Sequence, residues 1–217
     1  MNTIASVTVE VADLPAADRF YTASGLGSWV RLRASDAPAS GFRGVSLSLT
    51  VSQPADVRYL VDAALDAGAT VLKPVSKSFW GYGGVFRAPD GTVWKVATSA
   101  KKDTGPATGH VDQFVVLLGA SDVAETRKFY VEHGLTVAKS FGRKYVEFDA
   151  GDSPVKLALY GRRALAKDVG LPVDGEGSHR IVLGSTGGTA FTDPDGFVWE
   201  TAGADAEAAA TSAETRR

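Results

Sequence analysis

Apolar and polar residues alternate along several short segments of this chain. The first segment, "SVTVEV" (6–11), has the period of two that is typical of a strand with one buried face. Helical spacing follows: Asp13 stands where an amino-terminal cap belongs, and Phe20 and Tyr21 lie on the packing side of a helix that ends near Gly25. The next predicted strand is "SWVRLR". This first unit, 4–35, is short of strands.

A fuller unit occupies residues 43–98. It begins with the strand "RGVSLSLTV", and a helix is predicted over 54–69, ending at Gly68. Five apolar residues of this helix recur at helical spacing: Val57, Leu60, Val61, Ala64 and Leu65. Three short strands follow, "TVLKPV", "GGVFRA" and "TVWKVA". The unit therefore has the order strand, helix, three strands (βαβββ).

Residues 111–160 repeat this order. The strand "QFVVLLG" leads to a helix whose start, Asp122 with Glu125 three residues later, resembles a capping box. The strands "TVAKSF", "KYVEFDA" and "VKLALYG" complete the unit. A last unit, 176–202, has strands but no room for a second helix. The sequence leaves open which of the four units pair with each other.

Two phrases show that the chain is a duplication. "RAPDGTVWKVAT" (87–98) returns as "TDPDGFVWETAG" (192–203), and "VADLPAADRFYTASGL" (11–26) returns as "ASDVAETRKFYVEHGL" (120–135). A period this long indicates duplicated domains rather than a solenoid.

The duplication predicts two domains joined by a linker. Domain 1 covers 1–98 with an abbreviated first unit, and domain 2 covers 110–203 with a last unit that lacks its helix. The polar segment 99–109, rich in Gly and Pro, is predicted as the linker. Residues 204–217 have little to bury and are predicted as a disordered tail.

The composition of the chain argues against several classes of function. The chain has 217 residues, 44% of them hydrophobic and 22% charged, and its net charge of −2 offers no basic footprint for nucleic acid. It contains no Cys, which excludes disulfides, thiolate metal ligands and a cysteine nucleophile. No apolar run reaches the roughly 20 residues of a membrane span, and no secretory signal is recognisable. A cytoplasmic protein without nucleic-acid or membrane partners is predicted.

The paired βαβββ units, the phrase D-x-x-x-x-x-x-FY in a first helix and DPDG-x-x-WE in a last hairpin together resemble the vicinal oxygen chelate superfamily. This is the group of glyoxalases, bleomycin resistance proteins and extradiol dioxygenases. The resemblance implies an α+β fold in which tandem βαβββ modules form open antiparallel β cups with helices outside. Enzymes of the group hold a divalent metal in the cup. Other members have lost the metal and bind bulky antibiotics, often as dimers.

The resemblance places metal ligands on the first and last strands of the units. In the second copy these positions suggest His179, Glu200 and a third donor near Gln113, with Asp112 and Val115 as neighbouring alternatives. A hydrogen-bonded structural histidine is the alternative interpretation of His179. Glyoxalase-type members carry a Glu where this chain has Lys156.

The first copy offers no such ligand set. Its corresponding positions are Ser6, Ser46 and Lys95. A serine hydroxyl is a poor ligand, and a lysine ammonium has no lone pair to give. The first copy is therefore predicted to hold no metal, while Lys95 and Lys156 are either surface charges or contacts for an anionic ligand.

Aromatic residues are candidates for ligand contact. "FWGYGG" (79–84) brings Phe79, Trp80 and Tyr82 together, either as strand-edge packing or as a stacking wall for a planar ligand. Tyr145 and Tyr160 on later strands are candidates of the same kind.

The first functional hypothesis is a small-molecule-binding protein of the glyoxalase and bleomycin-resistance type with an incomplete metal site. The alternative is a metal-dependent lyase, isomerase or dioxygenase that uses the second domain, of the glyoxalase I-like or extradiol type, with one zinc, nickel, iron or manganese ion. Either protein would bind a small molecule and exist as a monomeric pseudo-dimer or a homodimer. A third possibility, action through protein partners, has only the duplication in its favour.

Overall fold

The computed structural model describes residues 2–188 and 190–202, so the predicted tail 204–217 lies outside it. Within this part of the chain no helix is long and apolar enough to cross a membrane. The helices are α1 (Leu14–Ala23), α2 (Pro54–Asp66), α3 (Val123–Glu132) and α4 (Arg162–Val169). The strands are β1 (Ile4–Val11), β2 (Arg31–Ala34), β3 (Ala39–Gly41), β4 (Val45–Thr50), β5 (Thr70–Ser78), β6 (Gly81–Arg87), β7 (Val93–Thr98), β8 (Gln113–Ala120), β9 (Val137–Ser140), β10 (Tyr145–Phe148), β11 (Val155–Gly161), β12 (Gly175–Gly177), β13 (Ile181–Ser185), β14 (Phe191–Thr192) and β15 (Val198–Thr201).

The predicted caps begin two of the helices. The carboxylate of Asp13 accepts a hydrogen bond from the Ala16 N–H at 2.9 Å, which satisfies one free donor at the start of α1. Asp122 accepts from the N–H groups of Ala124 and Glu125 at 2.8 and 3.3 Å and does the same for α3. Both caps are confirmed.

The strands join into one large mixed sheet, in the order β14–β15–β13–β1–β11–β8–β4–β7–β6–β5, with β2 on β1 and the β9–β10 pair on β11. β3 and β12 form a separate two-stranded ribbon. Within a unit the first strand runs parallel to the last, as β4 does to β7 and β8 to β11, whereas the units meet through antiparallel strands. The α+β class with βαβββ units is confirmed, and its sheet is mixed rather than purely antiparallel.

The pairing of units, which the sequence left open, follows from this order. β4 of the second unit pairs with β8 of the third, and β1 of the first unit pairs with β13 of the fourth. We call the first pair of units the central cup and the second pair the outer cup. Strand pairing therefore joins units from both sides of the predicted linker.

The two faces of the sheet in the central cup carry different side chains. Trp94 and Val96 of β7 and Phe114 and Val116 of β8 belong to the main apolar core. Because successive strand residues point to opposite faces, Lys95 and its neighbours on these strands face the concave side.

The helix α4 lies on that concave side. Its Leu165, Ala166 and Val169 are at most 1% exposed and pack in a second apolar cluster with Val85 and Val93. The chain's own helix thus fills part of the central cup.

The repeated helix phrase contacts the repeated hairpin phrase in both copies. The hydroxyl of Tyr130 on α3 donates to Asp193 in the last hairpin at 2.6 Å and accepts from the indole N–H of Trp199 at 3.2 Å. In the other copy the Tyr21 hydroxyl of α1 donates to Asp90 at 3.2 Å. Each clamp ties the first helix of one unit to the last hairpin of the next unit, so these phrases have a structural role.

The segment 99–109 is tied to the amino-terminal end of α2. Asp56, 1% exposed, accepts from the N–H groups of Thr108 and Gly109 at 2.6 and 2.9 Å. Gln53 accepts from the N–H groups of Thr104 and Gly105. The predicted linker therefore has a fixed path where it meets α2.

Replacing Asp56 with Asn should lower the free energy of unfolding by about 2 kcal/mol, because charge-assisted hydrogen bonds are lost. Burial raises the pKa of Asp56, but the hydrogen bonds from Thr108 and Gly109 outweigh burial and the net pKa is lowered from 3.8. A lowered pKa gives stability that is complete above pH 3.8 and is lost as the pH falls further. Urea unfolding between pH 2.5 and 7 should show a shallower acid loss in Asp56→Asn than in the parent chain. Identical acid limbs would contradict this role.

Candidate functional site

A row of four residues crosses the floor of the central cup. The registers place Lys95 of β7 beside Ser48 of β4, Ser48 opposite Val115 of β8, and Val115 beside Lys156 of β11. All four positions lie on the concave face, on the first and last strands of the second and third units. The register puts Ser48, rather than the expected Ser46, in line with Lys95.

Each lysine of this row has an acidic partner. Lys95 pairs with Asp168 of α4 at 2.6 Å, and Lys156 pairs with Glu147 of β10 at 2.9 Å. Burial raises the pKa of Glu147, but the hydrogen bonds from Lys156 and Tyr145 outweigh it and hold the pKa below 4.5. The row is therefore a set of ion pairs around a serine and a valine.

The outer cup has a corresponding row, in which Glu200 of β15 aligns with Gly184 of β13 and Ser6 of β1. Both carboxylate oxygens of Glu200 accept from one guanidinium nitrogen of Arg33, at 3.0 Å each. A second nitrogen of Arg33 donates to Glu10 at 3.0 Å. The guanidinium of Arg33 thus lies between the carboxylates of Glu200 and Glu10.

His179 precedes β13 and lies outside this row. Its Nδ1 contacts the carbonyl oxygen of Arg43, and its Nε2 contacts the carbonyl oxygen of Asp195 at 2.9 Å. Its ring stacks on Phe197 with centroids 3.9 Å apart. Both ring nitrogens are engaged by the backbone, as expected for a structural histidine.

A cavity of about 510 Å³ opens beside Lys95. Trp80 and Tyr82 line it from the β5–β6 hairpin, and Asp168 lines it from the carboxyl-terminal end of α4. Trp80 is 82% exposed, although large aromatic side chains are normally well buried. Phe79 is 79% exposed and contacts Trp80 edge-on, but it does not line the cavity.

The other two predicted aromatic residues lie on the opposite side of the cup. Tyr145 and Tyr160 are paired across β10 and β11, with ring centroids 5.7 Å apart. The Tyr145 hydroxyl donates to Glu147 at 2.9 Å. Burial, followed by this hydrogen bond, raises the pKa of Tyr145 above its ordinary value. The five predicted aromatic residues therefore do not form one wall.

No protein-family model matches this sequence, and no curated protein matches it. Solved structures do match. Glyoxalase I from Zea mays has a TM-score of 0.55 at 13% identity, covering 92% of this chain and 91% of that chain. A putative dioxygenase from Bacillus subtilis subsp. subtilis str. 168 has a TM-score of 0.58 at 12% identity, covering 94% of this chain and 87% of that chain.

This chain shares its fold with this glyoxalase I and this putative dioxygenase. The expected resemblance is confirmed at the level of the fold, and identities this low carry no information on the reaction.

The geometry of the two rows bears on the metal hypothesis of the sequence analysis. In the central row, two ammonium groups and a valine stand at positions where the resemblance in sequence would place metal ligands, and an ammonium group repels a cation and offers it no lone pair. In the outer row, Glu200 is occupied by Arg33 and its neighbour is Gly184. The residues at these positions do not fit a divalent metal.

Two of the three predicted ligands also lie on distant strands. Gln113 lies on β8, four strands away from Glu200 on β15, which is about 19 Å along the sheet. Within residues 2–188 and 190–202, no group of three or more His, Cys, Asp or Glu side chains could hold a metal ion.

The sequence analysis did not predict α4, the helix that fills part of the central cup. The segment "RRALAKDVG" carries Leu165, Ala166 and Val169 at helical spacing and ends at Gly170, which has a φ of +79°. These signals were present, but one short helix in a long connection is easily assigned to a loop. The sequence analysis therefore also missed two residues of the cavity: Asp168 on α4 and Lys73 on β5, which donates to carbonyl oxygens at the end of α4.

Proposed function

We propose that this chain binds a planar, uncharged small molecule in the cavity beside Lys95, and that binding requires no metal. The observation that carries the proposal is the rim of this cavity, where Trp80 leaves most of its surface free. Trp80 offers a flat face of the kind on which a planar ligand stacks. A volume of about 510 Å³ lies within the usual range of small-molecule pockets.

The charges around the cavity favour an uncharged ligand. Lys95 is paired with Asp168 at 2.6 Å. Lys73 donates to the carbonyl oxygens of Lys167 and Asp168 at 2.8 and 2.6 Å, at the negative end of the helix dipole of α4. These cations already have partners, so a charged ligand would have to displace them.

The positions that would hold a metal support binding without one. Lys95 and Lys156, each paired with an acid, stand where the resemblance would place ligands in the central cup, and Arg33 engages Glu200 in the outer cup. Nothing in the described part of the chain favours the alternative of a metal-dependent lyase, isomerase or dioxygenase. Elemental analysis of the purified protein should find less than about 0.1 metal ion per chain, and a stoichiometric metal that disappears in Glu200→Gln would overturn the proposal.

The ligand site can be tested by a melting screen with neutral planar aromatic compounds. A compound at 100-fold excess over its Kd should raise the melting temperature by roughly 5 °C or more. It should also quench the fluorescence of Trp80, because, of the four tryptophans, Trp94 and Trp199 are fully buried and Trp29 does not line this cavity. Trp80→Ala should weaken binding of the same compound about tenfold, since the stacking face is lost.

Phe79→Ala is the matched control. Phe79 is as exposed as its neighbour but lies outside the cavity, so its removal should change affinity by less than about twofold. Equal losses in the two variants would contradict the assigned cavity. A screen without a single compound whose binding depends on Trp80 would contradict the proposed function.

A further inference from the structure

A second cavity, of about 610 Å³, opens at the other end of α4. It is bounded by the end of β8 at Ala120 and Ser121, by the β9–β10 turn, by the end of β11 at Tyr160, and by the first turn of α4. Asp168 and Trp80 line only the first cavity, so the two cavities are separate.

Four basic side chains line this second cavity, and no acidic residue stands among the described residues of its wall: Arg143, Lys144, Arg162 and Arg163. Arg143 pairs with Asp122 at 2.9 Å. Asp195 lies behind the wall, where it accepts from the Ser121 N–H at 2.7 Å. The wall of the cavity therefore carries four basic side chains and no acidic one among the described residues.

Contacts with Phe42 hold Arg162 in place. Arg162 donates to the carbonyl oxygen of Phe42 at 2.9 Å, and its guanidinium lies 5.6 Å from the centroid of the Phe42 ring. Arg163 follows directly, and Lys144 faces them from the β9–β10 turn. Neither Lys144 nor Arg163 makes an ion pair within residues 2–188 and 190–202.

The placement of Arg162 and Arg163 is electrostatically unfavourable in the protein alone. They occupy the first turn of α4, which has no acidic residue and no side-chain cap. The helix dipole is positive at this end, so two cations there oppose it. A bound anion would relieve both the dipole and the mutual repulsion of the basic side chains.

The remaining walls are apolar or open. Ala120, Ala164, Val173 and the ring of Tyr160 form the apolar part. A Cβ built on Gly161 meets nothing within 4 Å, which shows that free space adjoins the backbone here. We infer that this cavity binds a small organic anion, a carboxylate, sulfonate or phosphate carried on a compact apolar body.

The test uses 1-naphthyl phosphate as the probe and 1-naphthol as its uncharged counterpart, measured by titration calorimetry on the full chain at low salt. The phosphate should bind saturably with a Kd below 1 mM, and the naphthol at least tenfold more weakly. The double variant Lys144→Gln/Arg163→Gln should weaken binding of the phosphate at least tenfold.

The matched control is Arg19→Gln/Lys128→Gln, which removes the same charge from exposed positions on α1 and α3 and should change the Kd less than twofold. Gly161→Phe should abolish binding by filling the cavity, at a backbone conformation (φ −58°, ψ 129°) open to any residue. Trp80→Ala should leave phosphate binding unchanged, which separates this site from the proposed function. The inference would be overturned if the phosphate did not bind saturably or if naphthol bound with equal affinity. It would also be overturned if both double variants lost the same affinity, if Gly161→Phe still bound the phosphate, or if Trp80→Ala did not.

Discussion

Asp193→Ala should lower the free energy of unfolding by about 4 kcal/mol. Asp193 is 5% exposed and accepts three hydrogen bonds, from the Tyr130 hydroxyl at 2.6 Å, the Phe197 N–H at 2.8 Å and the Asp195 N–H at 2.9 Å. Without the carboxylate, at least two buried donors have no acceptor, and each costs about 1–3 kcal/mol. Urea unfolding followed by circular dichroism and tryptophan fluorescence measures the loss.

The equivalent clamp provides the comparison. Asp90 is only half-buried, and its bond from Tyr21 is longer, at 3.2 Å. Asp90→Ala should therefore cost about half as much as Asp193→Ala. Asp193→Asn should cost about 1 kcal/mol or less, because the amide oxygen still accepts the two backbone bonds. Equal costs for the two alanine variants would show that the two clamps do not differ as their geometry indicates.

Leu165→Asp should release α4 from the central cup. The Leu165 side chain is 1% exposed in an apolar cluster, so an unpaired carboxylate there should cost at least about 4 kcal/mol, compared with about 3 kcal/mol for Leu165→Ala. Hydrogen exchange followed by mass spectrometry should show loss of protection over 162–169 while β4 and β8 stay protected, because their core lies on the opposite face.

Ala164→Asp controls for the added charge. Ala164 is exposed on the same helix, in the first turn, where an acid interacts favourably with the dipole. We expect its unfolding free energy to stay within about 0.5 kcal/mol of the parent chain. Uniform loss of protection across the sheet in Leu165→Asp would mean that α4 and the cup unfold as one unit.

The sequence predicted local elements well because each leaves a local signal. Alternation in 6–11 and helical spacing in 54–69 report which face is buried, and Asp13 and Asp122 mark helix starts. The repeated phrases predicted the duplication, but not that they touch. They do so through aspartates at different motif positions, since Asp193 precedes the proline and Asp90 follows it.

The site was less predictable because it depends on register. Ser48 rather than Ser46 faces Lys95, and Gly184 rather than His179 aligns with Glu200, and both follow from strand pairing that no local pattern encodes. The pairing of Arg33 with Glu200 joins residues that are 167 positions apart. Such contacts are set by tertiary packing, so motif position alone misplaces the aligned residue by two positions in one cup and by five in the other.

The closure of the outer cup sets an order of events during synthesis. β1 is made first, but its antiparallel partner β13 begins only at Ile181, whereas β4 and β8 of the central cup are separated by little more than one unit. Long loops are slow to close, and domains emerge from the ribosome amino-terminus first. The central cup is thus able to assemble on the nascent chain, while the leading strand must stay unpaired on that side until the ribosome has nearly finished.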